Sequence, residues 1–268
     1  MAQVEIDGVQ IHYNERGDGP LAYVYCHGLG SNSAGFVAED LDWYGERFRT
    51  VAWDQRGLGQ SGPAGKYSLP RYAADLAELL DRLGIERAIV HGVSWGGVLV
   101  QRFALDFPER CMALVLDSTS SEVNLGASEN WYVRGEMARL GSEVVEGHEL
   151  KPAFEGHATV TSGATTASHA VKPEHLDSYV AQSRATAGLR EHPMTPYLGQ
   201  IECPTLIVAG GADQVAGAGG SVVISRQIAG SRLEILDGVG HGVYREGRER
   251  YRELLLEFLR EMGILTAS

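Results

Sequence analysis

Long apolar runs are missing from this chain of 268 residues. None approaches the roughly 18 consecutive apolar residues that span a bilayer, which excludes a helical membrane protein. The opening text, MAQVEIDGVQIHYNERG, lacks a basic segment followed by an apolar one, so no secretory signal is expected there and a cytoplasmic location is. Cysteine is scarce. The three present, Cys26, Cys111 and Cys203, are odd in number and far apart along the chain, which excludes a disulfide framework and a CxxC metal pair. Each sits in or beside an apolar run and reads as a buried structural thiol. Positive charge is in deficit too. Lys and Arg total 23 against 35 Asp and Glu, for a formal net charge of −12, which argues against a nucleic-acid surface and against acidic partners. No HExxH occurs, and His148, His157, His169, His175 and His192 show no compact ligand spacing, so no metal site is expected.

What is present is the balance of a globular protein, 44% hydrophobic and 22% charged, in a chain long enough to bury a full core as one or two domains. The first residues read as a hairpin: VEI, the turn Asp7-Gly8, then VQIHYNE. Strand-like and helix-like text then alternates. LAYVYC, RTVAWD, RAIVHG, MALVLD, PTLIVAG and RLEIL are strand candidates. SLPRYAADLAELLDRLG predicts a helix with Ser68 as its cap, Pro70 in its first turn and Gly84 at its stop. Tyr72, Leu76, Leu79, Leu80 and Leu83 give that helix one apolar face. WGGVLVQRFALDF is a helix closed by Pro108, SVVISRQIAG is another, and the last turns its Tyr251, Leu254, Leu255, Phe258 and Leu259 inward. This alternation implies a mostly parallel sheet covered on both faces. Residues 122–196 break the rhythm: they hold no strand candidate and read as a largely helical insertion after the sixth strand.

Gly92-Val93-Ser94-Trp95-Gly96 matches G-x-S-x-G between a predicted strand and helix. A serine on so sharp a turn needs neighbours without side chains two positions away, and Gly92 and Gly96 meet that need. A phosphate-binding loop is the competing reading of a glycine-rich turn, but it would want a following Lys, and none is there. A serine hydroxyl attacks a carbonyl only when a base takes its proton and a third group orients the base. Asp213 stands just past the strand PTLIVAG and His241 sits in a glycine-flanked loop past RLEIL. The order Ser, Asp, His, each beyond a strand, is that of the nucleophile-elbow hydrolases. Asp117, at the end of MALVLD, is a rival for the acid, with Asp213 the better fit to the motif. The plainer reading of Asp213 is a carboxylate that merely caps its loop. Backbone amides for a developing oxyanion are expected from Leu29, in CHGLGSN, and from Trp95. His27 reads as a residue that holds the His-Gly turn open.

On His27-Gly28, DQRGLGQS (Asp54 to Ser61), GVSWGG, GGAD and GHG, the chain resembles the α/β-hydrolase superfamily over nearly its whole length. The resemblance implies an eight-stranded, mostly parallel, twisted sheet flanked by helices, with a helical cap inserted after the sixth strand. Residues 1–121 and 197–268 would form the core and 122–196 the cap. It implies that Asp54, Arg56 and Ser61 build a structural turn and take no part in catalysis. The chain is most similar to small esterases, enol-lactonases and meta-cleavage C–C hydrolases, with Ser94, Asp213 and His241 as triad and no metal or organic cofactor. The expected partner is a small ester, lactone or related carbonyl compound, acted on by a monomer or homodimer. DQRG and GVSWGG are also similar to proline iminopeptidases, but HGLG departs from their usual His-Gly-Gly-Pro. Such relatives often carry a proline soon after the acid, where this chain reads DQVAGAGGS. A receptor that keeps the fold and pocket with little turnover is the reading from another class.

Overall fold

The structure is a computed structural model that describes residues 2–144 and 171–266. Eight strands form one sheet: β1 (Ala2–Ile6), β2 (Val9–Arg16), β3 (Ala22–Cys26), β4 (Arg49–Trp53), β5 (Ala88–Val93), β6 (Cys111–Asp117), β7 (Thr205–Gly210) and β8 (Arg232–Leu236). Their order is β1-β2-β4-β3-β5-β6-β7-β8. β1–β2 and β2–β4 pair antiparallel, and every other pair is parallel. The hairpin turn at Asp7-Gly8 takes φ of 48° and 74°, the left-handed pair that a tight hairpin requires.

The parallel strands are apolar along their whole length because both faces are covered. Alternate residues serve opposite layers: Val24, Val90, Leu114, Leu116 and Ile207 point into one core, and Tyr23, Tyr25, Ile89, Val115 and Val208 into the other. The first core is covered by α3 (Leu69–Arg82), α4 (Trp95–Asp106) and α7 (Gly217–Gln227). The second is covered by α1 (Ala34–Glu39), α2 (Leu41–Gly45), α8 (Val243–Glu246) and α9 (Arg248–Glu261). In α3 the Ser68 side chain accepts the Arg71 amide at 3.3 Å, Pro70 lies in the first turn, and Gly84 closes the helix at φ 64°. Leu83 is half-buried and still packs against the core that holds Tyr72, Leu76, Leu79 and Leu80.

The described part of residues 122–196 is helical: α5 (Leu125–Val144) and α6 (Leu176–Gly188) pack on each other. Glu136 on α5 accepts Arg184 of α6 at 2.6 Å, and the Ser128 hydroxyl donates to the Ala187 carbonyl at 2.9 Å. His148, His157 and His169 lie outside the described residues. Among the described residues no helix is long and apolar enough to cross a membrane.

Candidate active site

Register brings the motifs together. Cys26 of β3 lies opposite Gly92 of β5, and Val93 opposite Asp117 of β6. The turn His27-Gly28-Leu29 therefore sits beside Val93-Ser94-Trp95 at the carboxyl edge of the sheet, in the crevice where the strand order reverses direction. On the other side Gly210 pairs with Leu236, which carries the loops after β7 and β8 out side by side. Ala212 and Gly211 donate to Val239 and Leu236 at 2.9 and 2.8 Å, so the segments bearing Asp213 and His241 are tied as one.

Ser94 has φ 56° and ψ −117°, a backbone conformation that costs an L-residue about 1–3 kcal/mol and persists only when its surroundings impose it. They do: its amide donates to the Asp117 carbonyl at 2.8 Å, and its own carbonyl accepts the Thr119 hydroxyl at 2.7 Å. A Cβ at Gly92 would overlap the Gly96 carbonyl, and one at Gly96 would overlap the Cys26 carbonyl. These are the two positions the motif reserves for glycine. Trp95 opens α4. Among the described residues no protein acceptor takes the amide of Trp95 or of Leu29.

His241 Nδ1 lies 2.9 Å from Asp213 Oδ2. Asp213 Oδ1 accepts the amides of Val215 and Ala216 at 2.7 and 3.1 Å. The capping role and the partnership with His241 thus coexist, one on each oxygen, and the cap holds the loop that lacks the proline. Burial alone would raise the Asp213 carboxyl, but the hydrogen bond and charge of His241 and the two amides outweigh it and hold the group below the ordinary carboxylate range. Asp117 is committed elsewhere. It is fully buried, with Oδ2 2.7 Å from His91 Nε2 and Oδ1 accepting the Tyr251 hydroxyl at 3.1 Å. Among the described residues no hydrogen bond joins Ser94 Oγ to His241, a contact that in such sites tightens as a substrate carbonyl is engaged.

Leu29, Ser94 and Trp95 line one pocket of about 260 Å³ with Val123, Trp131 and Val215. Glu122 stands in its wall and is exposed. Three positions that sequence reasoning missed hold this site. Gln182 of α6, fully buried, accepts the Gly30 amide at 2.8 Å. Its Nε2 donates at 2.8 Å to Gln55 Oε1, which also accepts the Trp95 indole at 2.8 Å. Glu246 accepts the amides of Gly240 and Gly242, on either side of His241, at 2.7 and 3.0 Å. Gln182 carries no motif because it acts on a loop 152 residues away, Gln55 stands inside DQRG with no role assigned to it there, and Glu246 follows the GHG loop it holds by only a few residues.

His27 is buried and doubly engaged: Nε2 accepts the Gln55 amide at 3.2 Å, so Nδ1 carries the proton and donates to the Gly28 carbonyl at 2.9 Å. Asp54 accepts the amides of Ser33 and Gln60 at 2.7 and 2.8 Å and lies 3.1 Å from His12. Ser61 donates to the Asp54 carbonyl at 2.5 Å. Arg56 is buried against Asp75 at 2.5 Å. All three form a structural turn, as the resemblance implies.

Residues 24–148 match the family described as the alpha/beta hydrolase fold. Among curated proteins the chain is 28% identical to 3-oxoadipate enol-lactonase 2 of Acinetobacter baylyi, covering 81% of this chain and 80% of that one. It is 25% identical to a 2-hydroxy-6-oxononadienedioate/2-hydroxy-6-oxononatrienedioate hydrolase of a Pseudomonas species, over 95% and 93% of the two chains. Among solved structures, a hydrolase from Pseudomonas aeruginosa superposes with a TM-score of 0.76 at 28% identity, over 96% of this chain and 97% of the other.

Proposed function

Because the chain belongs to the α/β-hydrolase superfamily and is an enzyme of the hydrolase type, we propose that it cleaves a small carboxylic ester or lactone through an acyl-enzyme on Ser94. The observation that carries this reading is the strained Ser94 turn flanked by the unpaired amides of Leu29 and Trp95, in a pocket bordered by the loop of the His241–Asp213 pair. In the proposed cycle Ser94 Oγ attacks the carbonyl carbon while His241 Nε2 takes its proton. Asp213 holds Nδ1–H and favours the imidazolium that forms. The Leu29 and Trp95 amides receive the oxyanion. Collapse expels the alkoxide, which takes the proton from His241. Water, deprotonated in turn by His241, then releases the acyl group. The cycle as written calls for no metal or organic cofactor. Residues 122–196 serve as the cap, with Val123 and Trp131 bounding the acyl site.

Two other chemistries fit the same triad. C–C hydrolysis is favoured by the likeness to the dienedioate hydrolase. Prolyl aminopeptidase activity would need a carboxylate for the substrate's free amine, and Glu122 is the carboxylate in the pocket wall. The test compares wild type with Ser94→Ala on p-nitrophenyl butyrate and a prolyl p-nitroanilide. Ester turnover that falls by at least ~10³-fold in the variant is the expected result. Turnover that survives the substitution would reject Ser94 as nucleophile. Prolyl amide turnover would move the assignment to the aminopeptidase, and inactivity of wild type on both probes to C–C hydrolysis or a receptor.

A further inference from the structure

The three cysteines are far apart in the chain, yet two of them meet. Cys203 Sγ lies 3.5 Å from Cys111 Sγ, at the foot of the sheet. Cys111 opens β6 and Cys203 stands two residues before β7, and the parallel pairing of those strands holds both backbones in place. Neither thiol is bonded to the other covalently. Both thiols, with Arg87 and Glu202, line a surface recess of about 340 Å³, but Cys111 is buried whereas Cys203 is partly exposed. Arg87 donates to the Cys111 carbonyl at 3.3 Å, which brings its guanidinium to the pair.

The geometry points to Cys111 and Cys203 as a modification site: a dithiol that low-molecular-weight disulfides, of the oxidised-glutathione class, convert to an intramolecular disulfide. The recess admits the small disulfide to Cys203, the more exposed sulfur, and leaves the buried Cys111 as the resolving thiol. Cys203 thiolate attacks one sulfur of the reagent, forming a mixed disulfide and expelling one thiolate. Cys111 then loses its proton to that thiolate, and its sulfur attacks Cys203 Sγ, expelling the second, which takes a proton from water. Two electrons leave the pair and reduce one reagent disulfide to two thiols. The sulfurs need only close from contact to the ~2.05 Å of a disulfide.

The environment divides the labour in the same sense. The adjacent Cys111 thiol, with help from Arg87, holds Cys203 below the ordinary thiol value against the effect of burial, while contact with Cys203 and burial push Cys111 up. The lower thiol is the exposed one, as an attacking sulfur should be. Cys26 serves as an internal control: burial pushes its thiol up to about 12, and its sulfur accepts the Trp53 indole at 3.3 Å.

The link would close a loop that contains the whole 122–196 segment, and constraining so long a loop in the unfolded chain stabilises the fold. It would leave the reaction centre alone. Cys111 pairs with Ala88 at the amino end of β5, whereas Ser94 follows its carboxyl end, so the two sites are ~20 Å apart along the strands.

The experiment incubates the purified full chain with oxidised glutathione, then alkylates it with iodoacetamide under denaturing, non-reducing conditions. The expected result is an intact mass about 2 Da lower than the reduced chain before alkylation, and afterwards alkylation of Cys26 alone with a Cys111–Cys203 cross-linked peptide. Dithiothreitol reverses it. The oxidised chain should melt roughly 5–10 °C higher, with ester hydrolysis within about twofold of the reduced chain. In Cys111→Ser the same treatment should leave glutathione attached to Cys203, which shows the attacking sulfur without requiring the link. Three alkylated cysteines in the treated wild type, a persistent glutathione adduct on it, or a link through Cys26 would each overturn the proposal.

Discussion

Two aspartates compete for one role, and their oxygens separate them. Asp213 offers Oδ2 to His241 and spends Oδ1 on its own loop. Asp117 spends both oxygens on His91 and on Tyr251, a residue 134 positions away in the chain. Asp213→Asn should therefore lower kcat by ~10³–10⁴-fold, the effect of leaving the base in the wrong tautomer, with a circular dichroism spectrum like wild type. Asp117→Asn should keep activity within about tenfold while losing ~1–3 kcal/mol of stability from the disrupted buried network, read as a lower urea midpoint. The opposite pattern would transfer the acid to Asp117. The serine turn was legible in the text because glycine spacing is a local steric demand. For the acid the text favoured Asp213 by motif fit, but the commitment of Asp117 was hidden, because Tyr251 and His91 reach it only through the folded sheet.

At the scale of elements, the helix α6 holds the turn that carries the Leu29 amide. Gln182 takes the Gly30 amide, and a Cβ at Gly30, where φ is 62°, would run into the Tyr179 ring. Residues of the proposed cap thus orient a core loop, and the candidate oxyanion site depends on the two segments being docked. Gln182→Ala should reduce kcat by ~10–100-fold, the cost of misplacing a group by a fraction of an ångström, with KM nearly unchanged. Affinity for a boronic-acid analogue of the tetrahedral intermediate should fall in parallel. A change in melting temperature with kcat and analogue affinity intact would reduce Gln182 to packing. The strands and the helices α3, α4, α7 and α9 were readable from apolar runs and caps such as Ser68, whereas the short helices α1, α2 and α8, with four to six residues each, are too brief to show a period. Gln182 was hidden in YVAQSRATAG, where nothing distinguishes it from a solvent-facing residue.

For the whole molecule, buried ionisable groups make the fold acid-sensitive. Burial lowers the His27 pKa below its ordinary value, although Asp54 and the Gly28 carbonyl pull it upward. The unfolded chain therefore binds more protons than the native one as pH falls below about 6.5, and stability declines with it. For Asp54, burial alone would raise the carboxyl, but His27 and the Ser33 and Gln60 amides outweigh it and depress the value. Asp213 is depressed likewise. These two contribute stability that is present above the unfolded value of about 3.9 and lost as pH falls through their folded values. Melting temperature should thus drop between pH 7 and pH 5 and more steeply below about pH 4. His27→Gln should flatten the upper limb by up to about 1.4 kcal/mol per pH unit. An unchanged slope in that variant would exclude His27 as its source.

The chain's text by itself determined the alternation of strands and helices, the serine turn and the order of the proposed acid and base behind it. Those features follow from short-range sterics, capping and periodic burial, which act between residues a few positions apart. Tertiary structure alone committed Asp117 to His91 and Tyr251, brought Gln182 to the loops of the site, and put Cys111 against Cys203. Each is set by strand order and register, which place side by side groups the chain keeps dozens of residues apart.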